Sequence, residues 1–84
     1  MLAGKTVLIT GGTGSFGRAA QMRLTSMDVR EIRILSRDEL KQELMRIEVN
    51  DPRVKFYLGD VRDRASVDQA MAGVDYVFHA AALK

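Results

Sequence analysis

The sequence has 84 residues, 46% of them hydrophobic and 29% charged, with a formal net charge of +2 and no cysteine. The apolar fraction excludes a disordered chain, the missing thiols exclude disulfides, thiolate catalysis and Cys-ligated metals, and the small net charge gives no footing for a nucleic-acid partner. No apolar run approaches the roughly 18–20 residues of a membrane span and no signal peptide is visible, so no membrane partner is expected and a cytoplasmic location is the default.

Lys5 to Thr10 reads as a buried parallel strand, because its Thr-Val-Leu-Ile run lacks the alternation of a half-exposed one. Ser15 to Met27 reads as a first helix, with Phe16, Ala19 or Ala20, and Leu24 at helical spacing and Arg18, Gln21 and Arg23 on the other side. Glu31 to Leu35 is the second strand. Asp38 is placed to cap a second helix whose apolar stripe is Leu40, Leu44 and Ile47, and Asp51-Pro52 ends it. Val54 to Leu58 is a third strand, and Gly59-Asp60-Val61 is its exit turn. Asp63 is placed to cap a third helix carrying Val67, Ala70 or Met71, and Val74, with Gly73 near its end. Asp75 to Ala80 is the fourth strand.

Strands alternating with helical segments of 10–15 residues imply a parallel sheet with right-handed crossovers. The fold class expected is α/β, a partial Rossmann fold of four parallel strands in the order 3-2-1-4 with crossover helices. A complete six-strand domain of this kind needs roughly twice the length. The fourth strand would be an apolar edge carrying none of the charges, prolines or bulges that blunt natural edges. Residues 1–84 are therefore expected to be the N-terminal part of a single dinucleotide-binding domain from a longer protein. The rival reading is a stand-alone dinucleotide-binding module, its fourth strand capped by self-pairing or by a partner.

Four stretches carry the chemistry. The first is Thr10-Gly11-Gly12-Thr13-Gly14-Ser15-Phe16-Gly17, a glycine turn between the first strand and the first helix. Glycine allows the tight exit from the strand, lets the backbone approach a pyrophosphate, and lets the helix pack against the sheet. The helix start then offers its N–H groups and dipole to the phosphates. The second is Ser36-Arg37 at the end of the second strand, with Asp38 after it. An acidic residue there suits the ribose 2′-OH of NAD, whereas a guanidinium and a hydroxyl suit the 2′-phosphate of NADP. Lys41 adds charge one turn on, or belongs to an exposed face; Arg37 itself can be read as a solvated charge beside a capping Asp38. The third is Asp60-Val61, where the carboxylate can accept from the adenine amino group or only stabilise the turn. The fourth is Ala80-Ala81-Ala82 with Lys84, small residues that let backbone run beside the cofactor or merely pack tightly. His79, the single histidine, is assigned to the core or a strand end, and without cysteines it makes no metal cluster.

Together these stretches resemble the extended short-chain dehydrogenase/reductase superfamily. The runs Ser36-Arg37-Asp38-Glu39-Leu40-Lys41-Gln42, Asn50-Asp51-Pro52-Arg53-Val54, Gly59-Asp60-Val61-Arg62-Asp63 and His79-Ala80-Ala81-Ala82-Leu83-Lys84 are similar to its polysaccharide-biosynthesis branch, which holds inverting UDP-N-acetylglucosamine 4,6-dehydratases. The resemblance implies that Gly11, Gly14, Ser15, Phe16 and Gly17 hold the pyrophosphate. It further implies that Ser36, Arg37 and Lys41 hold the 2′-phosphate of NADP, Asp60 and Val61 the adenine, and Ala80, Ala82 and Lys84 the ribose side. It implies a UDP-sugar substrate and a homo-oligomeric parent that oxidises C4 with NADP, loses water across C5–C6 and returns hydride to C6. The family's Tyr-x-x-x-Lys pair is not found here, since neither Tyr57 nor Tyr76 has a lysine four residues later, so no catalytic residue is assigned. A sugar epimerase or reductase of the same superfamily is the neighbouring alternative.

Overall fold

The computed structural model describes residues 2–11 and 13–80. Its elements are β1 (Thr6–Thr10), α1 (Ser15–Thr25), β2 (Glu31–Ser36), α2 (Glu39–Val49), β3 (Val54–Leu58), α3 (Arg64–Met71) and β4 (Tyr76–His79). All strand pairs are parallel, and the sheet order is β3-β2-β1-β4. The expected partial Rossmann topology is therefore the observed one. Among the described residues no helix is long and apolar enough to cross a membrane.

β1 is buried along its whole length, which explains its unalternating sequence. Val7 and Ile9 face one core with Leu24 of α1, Ile32 and Ile34 of β2, and Met45 of α2. Leu8 faces the other core with Leu35 and with Ala70 of α3. Helices α1 and α2 thus cover one side of the sheet and α3 the other.

Two helices bury different faces from those the apolar spacing suggests. In α1 the buried residues are Gly17, Gln21 and Leu24, while Phe16 is 65% exposed. In α2 the buried residues are Gln42 and Met45, and Leu40, Leu44 and Ile47 all point outward. The physical reason in α2 is a polar anchor. The Gln42 amide donates to the Ser36 hydroxyl at 3.0 Å and to the Tyr57 carbonyl at 2.8 Å, so the glutamine must face the sheet. Val49 packs one turn beyond Met45, and the apolar stripe is left on the opposite side. In α3 the buried residue is Ala70 and not Met71, with Val67 packed beside it; Val74, expected on the helix, lies beyond its end at Met71 and packs on the same core.

Capping follows the sequence closely. Asp38 accepts from the Lys41 N–H at 3.0 Å, and Asp63 accepts from the Ala65 N–H at 3.3 Å. Asn50 ends α2 in the left-handed conformation with φ 46°. The Asp51-Pro52-Arg53 stretch has a structural task. Arg53 pairs with Asp51 and donates to the carbonyls of Thr25, Met27 and Val29, tying the α1 end to the entry of β3. The paired guanidinium holds the Asp51 carboxyl below its ordinary range. Asp75 does similar work for β4: its carboxylate accepts from the Thr6 N–H and its own N–H donates to the Thr6 carbonyl. Among the described residues β4 pairs with β1 alone, and Tyr76, Val77 and Phe78 are exposed. His79 lies at the exposed strand end, its Nδ1 hydrogen-bonded with the Thr10 hydroxyl, so the strand-end role holds and the core role does not.

Candidate functional site

A cleft of about 1220 Å³ opens where the C-terminal ends of the strands converge. Its position is the point where the sheet order reverses around β1, with β2 on one side and β4 on the other. Four segments line it. The β1–α1 turn brings Gly11, Thr13, Gly14, Ser15 and Phe16; the end of β2 and start of α2 bring Leu35 to Glu39 and Lys41. The turn after β3 brings Gly59 to Arg62, and Ala80 follows β4.

The sequence-predicted residues Gly11, Gly14, Ser15, Phe16, Ser36, Arg37, Lys41, Asp60, Val61 and Ala80 therefore surround one cavity. Gly17 does not line it; it is buried on the sheet side of α1, where its missing side chain lets the helix sit close. Ala82 and Lys84 lie outside the described residues. Thr13, Gly59 and Arg62 line the cleft without having been singled out as binding residues, and Gln42 holds Ser36 from beneath. The signal for Gln42 was present in the sequence as a glutamine inside an otherwise apolar-and-charged helix.

The glycine turn divides its tasks. Gly11 has φ 66°, a left-handed conformation that a side chain disfavours, and its N–H donates to the Leu35 carbonyl at 2.8 Å. Gly14 is different: its φ is −79°, and a Cβ there would only touch the Gly11 carbonyl at 3.7 Å. Within the described chain nothing meets that Cβ more closely, so a glycine there leaves the cleft side open. Gly14 is also the N-cap of α1 and supplies no capping side chain, and the first turn carries no acidic residue. The N–H groups of Ser15, Phe16 and Gly17 precede the first intrahelical bond, Arg18 N–H to Gly14 carbonyl. This cradle fits a pyrophosphate: it is concave, rich in N–H donors and on the positive side of a helix dipole.

The opposite wall is charged. Arg37 reaches Asp60 by one contact of 3.6 Å, and its guanidinium is otherwise exposed. Arg62 grips the same carboxylate through Nε at 3.2 Å from both oxygens and Nη2 at 2.8 Å, with its backbone N–H at 2.9 Å. Those hydrogen bonds from Arg62, with the charge of Arg37 adding to them, hold the Asp60 carboxyl down to about 2. Because the folded state favours the ionised form, the stabilisation it gives is complete above the ordinary carboxylate range near ~3.9 and is lost as pH falls through about 2. Carboxyl-carbon NMR titration is expected to show Asp60 titrating near that low value, and to show it moving up toward ~3.9 when Arg62 is replaced by alanine. An unmoved midpoint would refute the pairing.

A family model described as "Polysaccharide biosynthesis protein" matches residues 7–84. The chain belongs to this polysaccharide biosynthesis family. It is 62% identical to a protein of Rickettsia bellii (strain RML369-C) named UDP-glucose 4-epimerase, an alignment covering 100% of this chain and 26% of that one. Among solved structures it superposes on Pen from Bacillus thuringiensis with a TM-score of 0.94 and 36% identity, covering 100% of this chain and 26% of Pen. It also superposes on the Bordetella bronchiseptica enzyme WbmF in complex with NADH, with a TM-score of 0.76, 28% identity, and coverage of 98% and 24%. The short-chain dehydrogenase/reductase resemblance holds at the level of this family, and the chain spans about a quarter of the length of the relatives it matches.

Proposed function

We propose that residues 1–84 are the N-terminal part of a single NAD(P)-binding domain, in an enzyme that modifies a nucleotide sugar at C4 for surface-polysaccharide biosynthesis. The observation that carries this reading is the cleft itself, with a glycine cradle on one wall and Arg37 and Lys41 on the other. The cofactor is NADP. Arg37 has an exposed guanidinium with one long contact, suited to a 2′-phosphate. Asp38, the first acidic residue after β2, is turned to the Lys41 N–H as a helix cap. Ser36, steadied by Gln42, adds a hydroxyl beside Arg37. Asp60 and Val61 border the adenine end and Ala80 the ribose side. NAD is the alternative, supported by the likeness to WbmF, solved in complex with NADH.

When bound, a nicotinamide supplies reversible hydride transfer at the sugar carbon. The reaction we assign is 4,6-dehydration of a UDP-sugar of the UDP-N-acetylglucosamine type, on the resemblance of the Ser36–Gln42 and Ala80–Lys84 runs. A second reading, 4-epimerisation, is favoured by the name of the Rickettsia relatives. Both begin by oxidising C4, so both place the same demand on this cleft. They part afterwards: dehydration removes the C5 proton and the C6 oxygen, whereas epimerisation returns hydrogen to C4 from the other face.

The test is product NMR in deuterated water, with the full-length chain carrying these residues, NADP, and either UDP-N-acetylglucosamine or UDP-glucose. Dehydration gives a 4-keto-6-deoxy sugar labelled at C5. A C4 epimer without C5 label would replace the dehydratase assignment with the epimerase, and neither product from either sugar would refute C4 chemistry. A homo-oligomeric parent, with no nucleic-acid or membrane partner, completes the proposal.

A further inference from the structure

Two guanidinium groups face one carboxylate on the charged wall of the cleft, and they share it unequally. Arg62 engages both Asp60 oxygens by side chain and one by backbone; Arg37 touches a single oxygen at 3.6 Å. The Arg62 geometry is fixed locally, since its own N–H closes a turn onto Asp60 two residues earlier. Arg37 comes from a different strand end and is held only by the long contact. An ionised carboxylate offers about four accepting sites, and the side-chain and backbone N–H groups of Arg62 together make four contacts with the two Asp60 oxygens. What remains for Arg37 is weak.

We propose that Arg62 is a specificity-positioning residue: by occupying the Asp60 carboxylate it leaves Arg37 available to the 2′-phosphate of the dinucleotide. The inference rests on the NADP reading above and adds a residue to it. Asp60 is the anion that competes with a ligand phosphate for Arg37, and Arg62 removes the competitor without itself touching the phosphate. Without Arg62, the carboxylate is open to a two-pronged pair with Arg37, and a phosphate must break that pair before it can bind.

The experiment measures NADP and NAD dissociation constants by calorimetry for the full-length chain and its Arg62→Ala, Asp60→Asn and doubly substituted forms. The ratio of the two constants is read, because contacts to adenine are common to both cofactors and cancel. Arg62→Ala is expected to lower the preference for NADP about 3- to 5-fold, the range of an exposed ion pair. The double variant is expected to recover the ratio of Asp60→Asn alone, since the competing charge is gone. An unchanged ratio in Arg62→Ala overturns the proposal. So does a loss that persists in the Asp60→Asn background, which would mean that Arg62 meets the phosphate directly. A wild-type chain that prefers NAD overturns both this inference and the NADP assignment, and one that binds neither dinucleotide refutes the cofactor reading itself.

Discussion

Replacing Arg37 with alanine is expected to weaken NADP binding by roughly 10- to 100-fold while changing NAD binding less than about twofold. The expectation follows from what the guanidinium does in the folded chain. It is an exposed cation just after β2, and its single 3.6 Å contact with Asp60 stabilises the chain little. Its removal therefore costs folding almost nothing, and Arg62 still occupies Asp60 in its absence. A charge-assisted bond to a phosphate is worth about 1.5–3 kcal/mol, which sets the range. Lys41, one turn into α2 and lining the same cleft, keeps part of the attraction, so Arg37→Ala with Lys41→Ala is expected to lose more than either alone. The loss should shrink as salt rises, because both charges are open to solvent. Equal weakening of NADP and NAD would place Arg37 against a part the two cofactors share and overturn the 2′-phosphate assignment.

The parts of the fold that were legible in the sequence are those governed by backbone chemistry. Both Asp caps, the left-turning Gly73 after α3, and the unalternating strands report local requirements, and local requirements are written in local residues. The four segments of the cleft were legible for a related reason: parallel strands end on the same side, so residues just after each strand meet without further instruction. Helix orientation was not. Leu40, Leu44 and Ile47 form a regular apolar stripe, but the side of α2 that meets the sheet is decided by Gln42, whose partners Ser36 and Tyr57 are on two different strands. A hydrophobicity pattern cannot weigh a buried amide that spans two strands. Phe16 carries two readings in the sequence, an apolar position at helical spacing with Leu24 and a member of the glycine turn; it is exposed and lines the cleft, so the second is the one the structure shows. Arg62 does not stand out in the sequence because its partner lies only two residues away, and so short a pair reads as a turn and not as part of a site.

Gly59 carries the larger structural expectation. Replacing it with alanine is expected to cost roughly 1–3 kcal/mol in the denaturant unfolding of the full-length chain. The cause is steric. A Cβ at Gly59 would stand 2.6 Å from the Ser66 Oγ, 2.7 Å from the Ser66 Cβ and 3.3 Å from Leu35 Cδ1. Neither Ser66 atom yields cheaply. The hydroxyl donates to the Asp63 carboxylate at 2.9 Å as part of the α3 start, and the Cβ moves only with the helix backbone. Gly59 in turn is held by its N–H to the Ser36 carbonyl at 2.8 Å, so the added methyl pushes the first turn of α3 away from the end of β3. That displacement disturbs the turn carrying Asp60 and Arg62, and dinucleotide binding should weaken together with stability. Ser66→Gly removes both clashing atoms at a cost of about 0.5 kcal/mol in helix propensity. Combined with Gly59→Ala it should be less destabilising than the sum of the single changes by about 1 kcal/mol or more. Ser66→Ala, which keeps the Cβ, should relieve less. Strict additivity of the two changes, or a Gly59→Ala protein unfolding within about 0.5 kcal/mol of the parent, would show that β3 and α3 do not approach as closely as the geometry requires.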